Sequence, residues 1–149
     1  MASFERHCDV TWEGPIREGK GEAKAGTGAF TLPVSFPSRV EQPGGKTSPE
    51  ELMAAAHAAC YAMALTATMG RRNASAARLR VKATVEADFG PTGIKIKASH
   101  LVVTAEGLQG VSAADFPQLA RDVEQACPVS NAYRGGLAID VQAEVGGNG

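Results

Sequence analysis

The sequence lacks the runs of like charge and the leucine-rich stretches that identify two common classes of protein. Its 15 basic and 16 acidic residues nearly cancel, and no segment gathers Lys and Arg in the way that binding to a phosphate backbone requires. The longest weakly polar stretch, residues 52–69, is dominated by alanine and is short of the Leu, Ile and Phe of a membrane span. We therefore expect no nucleic acid and no membrane among its partners, and we interpret this stretch as a buried core helix.

The N-terminus also lacks the apolar run of a secretory signal peptide. Residues 1–7 include Glu5 and His7 at positions where such a run would lie. We accordingly expect a cytoplasmic protein, in a compartment that keeps thiols reduced.

Cysteine is scarce, with three residues at positions 8, 60 and 127. The number is odd and no two of them have the close spacing of a zinc-ribbon pair, so a static disulfide framework is not expected. In a reducing compartment, widely separated cysteines that matter are more often catalytic or redox-active than structural. An inert buried thiol is still the simplest interpretation of each one.

Periodicity predicts an α+β fold, and the absence of repeats or linkers predicts a single domain over residues 1–149. The first three predicted strands form a β-meander, and the next two form an antiparallel hairpin with one wet face. Helices are expected wherever apolar residues recur at helical spacing. The predicted strands are 4–12, 22–25, 29–36, 78–89, 93–106 and 137–145; the predicted helices are 49–69 and 112–126; residues 37–47 are predicted to be irregular and 128–133 to be a turn.

A helix start signal precedes the alanine-rich stretch. Ser48 is a capping residue, Pro49 stands at the first helical position, and Glu50 and Glu51 supply acids to the first turn. The alanines that follow favour helix and let other backbone pack closely against it. We expect this helix to be central and enclosed.

Two of the cysteines have neighbours that suggest chemistry. Cys60 lies in the middle of the predicted long helix, with His57 three residues upstream on nearly the same face. Cys127 directly precedes Pro128, where a new helical turn would offer amide groups and a positive helix end that can stabilise a thiolate. Cys8 lies in an edge-like first strand without such surroundings, and we interpret it as structural.

Arg39 and Glu50 are candidates for a pair that activates a thiol. A guanidinium lowers the pKa of a nearby thiol and holds an incoming peroxide oxygen, while a carboxylate fixes the orientation of the guanidinium. A solvated surface charge is the simpler interpretation of Arg39. The helix dipole alone would explain an acid at position 50.

Helix geometry bears on how such a site could be assembled. Glu50 and Cys60 lie ten positions apart in the sequence, or about 15 Å along a straight helix, so they cannot touch within one helix. Two antiparallel copies of the helix around a two-fold axis would bring Glu50 of one subunit to Cys60 of the other, which predicts a homodimer with shared active sites. A helix break before Cys60 is the competing explanation.

These motifs resemble, over nearly the whole chain, the family of osmotically inducible protein C and the organic hydroperoxide resistance proteins. The resemblance is closer to the first branch, because its reactive arginine lies in the loop before the long helix, as Arg39 does, whereas Arg17 matches the region used by the sister branch. Two departures are Ser48, where Asn is usual, and the extra Cys8. The matching motifs are Trp12-Glu13-Gly14 with Gly19-Lys20-Gly21, Phe36-Pro37-Ser38-Arg39, Ser48-Pro49-Glu50-Glu51-Leu52, Ala55-Ala56-His57-Ala58-Ala59-Cys60 with Met63-Ala64-Leu65, and Cys127-Pro128-Val129-Ser130.

The resemblance implies a thiol peroxidase of oxidative and osmotic stress defence that reduces organic hydroperoxides and hydrogen peroxide. It implies Cys60 as the peroxidatic cysteine, Cys127 as the resolving cysteine, and Arg39 and Glu50 as the activating pair. It also implies an intertwined homodimer around two buried long helices, no metal or other cofactor, and a dithiol reductant such as the lipoyl groups of cytoplasmic dehydrogenase proteins.

Two other functions use the same side chains. His57, Cys60 and Cys127 could supply three ligands to zinc, although no second close ligand pair is present. Cys60 with His57 could instead form a thiol hydrolase, which needs an oriented base and an oxyanion hole.

Overall fold

The chain divides after Leu52 into two units, Met1–Leu52 and Met53–Gly149, of which the computed structural model describes residues 2–146. The first unit is built on a three-stranded antiparallel sheet in the order β1-β2-β3. Its strands are β1 (Cys8–Glu13), β2 (Lys20–Ala25) and β3 (Thr31–Val34). The predicted β-meander is therefore confirmed.

A glycine lets a tryptophan lie across this sheet. A Cβ atom at Gly21 would stand 2.8 Å from the Trp12 ring and 2.7 Å from a Val34 methyl group, distances at which something must shift. Gly21 pairs directly with Trp12 in the strand register. The Trp-Glu-Gly and Gly-Lys-Gly motifs are thus the two sides of one cross-strand packing contact.

The segment predicted to be irregular contains one turn of helix, α1 (Pro37–Val40). Pro37 presets the helical φ at its start, and the backbone N–H of Ser38 donates to the Ser35 hydroxyl at 3.1 Å. The prediction was wrong here because a single turn is too short for its periodicity to be visible in the sequence.

The long predicted helix is confirmed as α2 (Pro49–Arg71). Its start signal works as expected, since the backbone N–H of Glu51 donates to the Ser48 hydroxyl at 3.1 Å. By length and composition alone this helix could cross a membrane, but one stripe of it is packed into the protein core. The buried residues of the stripe are His57, Tyr61, Leu65, Thr68 and Met69.

In the single chain, however, α2 is not enclosed on all sides. Met63 is 71% exposed, and several of the alanines beside it are also open to solvent. Within the second unit, the sheet and α3 (Phe116–Glu124) therefore pack against one stripe of this helix.

The second unit contains a three-stranded sheet in the order β4-β5-β6. The predicted hairpin is confirmed, since β4 (Arg78–Gly90) and β5 (Gly93–Glu106) pair in antiparallel fashion. The last strand, β6 (Ala138–Val145), pairs with β5 in parallel. A parallel pair requires a crossover connection, which here contains α3 (Phe116–Glu124) and α4 (Pro128–Tyr133).

One face of this sheet forms the core with α2 and α3. The fully buried Leu101 and Val103 of β5 pack with Leu65 of α2 and Phe116 of α3. The Tyr61 hydroxyl donates to the carbonyl of Ala120 at 2.6 Å and so ties α2 to α3. The second helix was predicted to span 112–126 and is shorter, and the predicted turn at 128–133 is the short helix α4.

The other face of the sheet carries an ionic cluster centred on His100. Its ring nitrogens lie 2.5 Å from an Asp140 carboxylate oxygen and 2.9 Å from a Glu86 oxygen, so the histidine joins all three strands. Hydrogen bonds to Glu86 and then to Asp140 raise the pKa of His100. Hydrogen bonds from His100 and Lys97 lower the pKa of Glu86.

This cluster predicts a pH-dependent contribution to stability. The His100 contribution is complete below its unfolded pKa of about 6.5 and is lost as pH rises through the raised folded pKa, whereas the Glu86 contribution is lost in acid. We expect His100→Gln to lower the melting temperature more at pH 6 than at pH 9, measured by circular dichroism. In a Glu86→Gln/Asp140→Asn background the same substitution should lose this pH dependence; an equal loss at both pH values in the native background would contradict the prediction.

Candidate functional site

The fold of the second unit brings two distant thiols into contact. Cys127 is fully buried, and the half-buried Cys60 packs against the same core cluster. The two thiols are close enough for Cys127 to raise the pKa of Cys60. Both are free thiols, as is the exposed Cys8.

The Cys-Pro-Val-Ser motif positions the second thiol. Pro128 opens α4 and holds the preceding Cys127 in an extended conformation, with φ −82° and ψ 113°. The carbonyl of Cys127 accepts the first helical hydrogen bond, from the N–H of Asn131 at 3.0 Å. The backbone amide of Val129, in the first turn, is close enough to Cys60 to lower the pKa of its thiol. The helix start expected at Pro128 is therefore present, with an amide directed at the partner thiol.

Within the second unit, the surroundings of Cys60 favour the neutral thiol. Burial raises the pKa of Cys60, the Val129 amide lowers it, and the hydrogen bond and the charge of Cys127 raise it again. The net shift is upward, which differs from the lowered pKa expected for a peroxidatic cysteine. A thiolate at this site needs a cation in addition to these groups.

The first unit pairs Arg39 with Glu50. Nε of Arg39 donates to both carboxylate oxygens, at 3.0 and 3.2 Å, and Nη2 donates to Oε1 at 2.6 Å. The two side chains are 27% and 14% exposed, so the pair is partly shielded from solvent. Arg17 instead pairs with Glu41 at 3.3 Å, with more than half of each side chain exposed. The carboxylate of Glu50 is therefore oriented towards Arg39 and not towards Arg17.

An apolar cavity of about 210 Å³ adjoins Arg39 in the first unit. Its lining is almost entirely hydrocarbon, and such a surface accepts alkyl or aryl groups rather than ions. Two larger clefts, of about 460 and 350 Å³, contain none of the four candidate catalytic residues. The apolar cavity is lined by Val10, Trp12, Ile16, Val34, Ser35, Phe36, Arg39 and Pro49.

His57 is fully buried and is hydrogen-bonded at both ring nitrogens. Nδ1 lies 2.7 Å from the Ser99 hydroxyl, and Nε2 lies 2.6 Å from the Ser130 hydroxyl. Burial lowers the pKa of His57, opposed by the charge of Glu124. The ring is therefore held as a neutral imidazole between two serines.

This arrangement argues against both alternative functions. Within residues 2–146, no group of three or more His, Cys, Asp or Glu side chains is placed to hold a metal ion, so the proposed zinc ligands His57, Cys60 and Cys127 do not form a site. Since serine hydroxyls occupy both nitrogens of the imidazole, it is also not oriented as a base towards Cys60, as a thiol hydrolase would require.

Ser99 and the hydrogen bond between Ser130 and His57 were not predicted from the sequence, and the amides after Pro128 were expected to act on Cys127, not on Cys60. Ser99 could have been found, because it occupies the core-facing register of β5 together with Leu101, where a polar residue needs a buried partner. The role of the Val129 amide depends on tertiary packing and leaves no signal in the residue type.

The thiol contact leads to a prediction about acidity. Since Cys127 raises the pKa of Cys60, Cys127→Ala should lower it. Thiolate absorbance near 240 nm, followed against pH in a Cys8→Ser background that removes the exposed thiol, measures this change. An unaltered titration of Cys60 would mean that the two sulfur atoms are not in contact in solution.

Comparisons with known proteins agree on one family. Residues 42–142 match the family described as OsmC-like protein. Peroxiredoxin OsmC of Escherichia coli (strain K12) is 32% identical over 133 residues, covering 88% of this chain and 91% of that protein. Organic hydroperoxide resistance protein-like 2 of Staphylococcus epidermidis is 35% identical over 119 residues, covering 78% and 80%.

Solved structures share the fold. An organic hydroperoxide resistance protein from Elizabethkingia anophelis superposes with a TM-score of 0.73 at 23% identity, over 98% of this chain and 100% of that one. An OsmC-like protein from Mycoplasma pneumoniae gives a TM-score of 0.73 at 15% identity, over 97% and 99%. The α+β class expected from periodicity is thereby confirmed.

Proposed function

The chain belongs to the OsmC-like protein family, and on that basis we propose that it is a cysteine-based peroxidase that reduces organic hydroperoxides, and also hydrogen peroxide, in oxidative and osmotic stress defence. The curated relatives named peroxiredoxin and organic hydroperoxide resistance protein support this class of activity. The observation that carries the proposal for this chain is the contact between the Cys60 and Cys127 thiols. Two free thiols in contact are what a peroxide-driven disulfide cycle requires.

The proposed cycle has two oxidative steps. The Cys60 thiolate attacks the distal oxygen of ROOH; an S–O bond forms, the O–O bond breaks, and the alkoxide leaves as ROH after taking a proton. Cys60 is then a sulfenic acid. The Cys127 thiolate attacks that sulfur; an S–S bond forms, the S–O bond breaks, and hydroxide leaves as water with the proton that Cys127 gave up. A dithiol reductant, of the type carried by lipoyl proteins, restores both thiols through a mixed disulfide.

Arg39 is the cation that we propose for the thiolate. Burial and the neighbouring Cys127 raise the pKa of Cys60, so an additional positive charge is needed to ionise this thiol near neutral pH. The two-point hydrogen bond with Glu50 holds the guanidinium in one orientation and leaves its other N–H groups able to donate to a peroxide oxygen or a sulfur anion.

A homodimer would deliver this pair to Cys60. Glu50 lies in the first turn of α2 and Cys60 three turns further along the same continuous helix, so we propose that Arg39 and Glu50 of the partner subunit complete each site. Open apolar surface supports the dimer, because Met63 on α2 and Val10 on β1 are 71% and 62% exposed. Apolar surface of this kind is commonly buried against a second copy.

The apolar cavity beside Arg39 supports the organic substrate class. A peroxide group held by the guanidinium would place its carbon substituent near a hydrocarbon wall that includes Trp12 and Ile16. Burial of a hydrocarbon substituent contributes about 0.8 kcal/mol per CH₂ group, which favours alkyl and aryl hydroperoxides over hydrogen peroxide.

We further propose that both units act together as one OsmC-like domain in the cytoplasm. The family match, residues 42–142, continues through the boundary between the units. A cytoplasmic location fits a cycle that starts from reduced thiols.

Peptide mass spectrometry tests the disulfide cycle directly. One equivalent of cumene hydroperoxide should produce a Cys60–Cys127 bridge in the native protein and none in Cys60→Ser or Cys127→Ser. In Cys127→Ser, Cys60 should stall as a sulfenic or more oxidised acid. Cys8→Ser serves as the control and should still form the bridge; a native protein that consumes peroxide without forming it would refute the mechanism.

Mixed dimers test whether the active sites are shared. Cys60→Ser and Arg39→Ala homodimers should each lose most peroxidase activity, about a hundredfold or more for the loss of a nucleophile or its activating charge. Refolding the two variants together should restore one native site in each mixed dimer, and so about half of the native activity per dimer in that species. If each site were formed within one subunit, mixing would restore nothing.

A further inference from the structure

His57 connects three elements of the second unit at a point that the proposed cycle does not use. Its ring lies on α2, its Nδ1 partner Ser99 lies on β5, and its Nε2 partner Ser130 lies on α4. All three residues are fully buried. Loss of one partner would leave a buried polar atom unsatisfied, which is more costly than the hydrogen bond itself is stabilising.

The hydrogen bond between His57 and Ser130 holds the first turn of α4, which directly follows Cys127. Ser130 belongs to the first turn of α4, three positions after Cys127 and directly after Val129, whose amide lies close enough to Cys60 to affect its thiol. A helix as short as α4 has little stability of its own. The position of its first turn therefore depends on side-chain contacts such as the one with His57.

A second contact holds the C-terminal end of α4. It does not hold the first turn of this helix. The Tyr133 hydroxyl donates to the carbonyl of Met53 on α2 at 2.9 Å. The Tyr133 ring also meets His57 edge-on, at 5.4 Å between centroids. Tyr133 anchors the end of α4, whereas the bond between Ser130 and His57 anchors the start, beside the thiols.

We propose that His57 is a positioning residue for the thiol pair: through Ser130 it holds the first turn of α4, and with it the Val129 amide and the Cys127 thiol, against Cys60. The inference rests on the proposed function, since it assigns a role within that site. The imidazole itself does not exchange protons with substrate. It sets how often Cys127 is close enough to attack a modified Cys60, and how steadily the amide supports negative charge on the Cys60 sulfur.

A disulfide reagent isolates this role from peroxide chemistry. In a Cys8→Ser background, Cys60 attacks dithionitrobenzoate to form a mixed disulfide and release one thionitrobenzoate; Cys127 then attacks the Cys60 sulfur and releases the second as the disulfide closes. The rate of the second release, at 412 nm, measures closure alone. We expect Ser130→Ala to slow it by roughly tenfold, the effect of one buried hydrogen bond.

Ser99→Ala is the matched control, because it removes the other hydrogen bond of the same imidazole but lies on β5 and not on α4, the helix that directly follows Cys127. It should lower the melting temperature about as much as Ser130→Ala and leave closure within about twofold of the parent rate. Equal slowing by both variants, or by neither, would overturn the proposal.

Substitutions at His57 itself give a second, independent comparison. The terminal amide of Gln reaches the place of Nε2 and can still bond to Ser130, whereas the amide of Asn reaches only the place of Nδ1 and Ser99. His57→Gln should therefore keep faster closure than His57→Asn; the reverse order would overturn the proposal. This pair carries the test if Ser130→Ala does not fold.

The two hypotheses fail in different ways. A native protein with no peroxide turnover, combined with slow closure only in Ser130→Ala, would reject the peroxidase and retain the positioning role. A native protein with normal turnover, combined with equal closure in the two serine variants, would reject the positioning role and retain the peroxidase.

Discussion

The contact between the Cys60 and Cys127 thiols is the constraint on which the rest of the site depends. Cys60 lies on the long helix α2, and Cys127 lies directly before Pro128 at the start of α4. Both residues pack in the core of the second unit. Burial makes the same contact unfavourable for a charged sulfur. The two sulfur atoms are therefore close together, but Cys60 ionises poorly. In the mechanism that we propose, the positive charge of Arg39 compensates for this poor ionisation.

Much of the fold was predictable because it depends on local patterns. The alternation in β4 and β5 and the start signal of α2 at Ser48 and Pro49 specify their elements without information from elsewhere in the chain. The short helix α1 was not predicted, and of α4 only the start at Pro128 was expected, since one or two turns contain too few positions to show a period. The parallel pairing of β6 was not predicted either, because strand direction is decided by the crossover and not by the strand.

The candidate site was likewise predictable where it depends on residue types and not predictable where it depends on tertiary packing. Arg39 and Glu50 were paired from their residue types, and their bidentate geometry agrees with that pairing. The upward shift in the pKa of Cys60 was not foreseen, because it depends on how much protein covers the thiol. The catalytic roles of Cys60, Cys127, Arg39 and Glu50 stay predictions until the chemistry is measured.

The parallel alignment of β6 with β5 also affects when the contact between the two thiols can form during folding. Cys127 lies inside the crossover that β6 closes, so a nascent chain contains both cysteines while the strand that completes their sheet is still missing. Pairing of distant segments is slow because the intervening chain must first be ordered. We therefore expect the packing that holds Cys127 against Cys60 to be completed late in folding, when β6 pairs with β5.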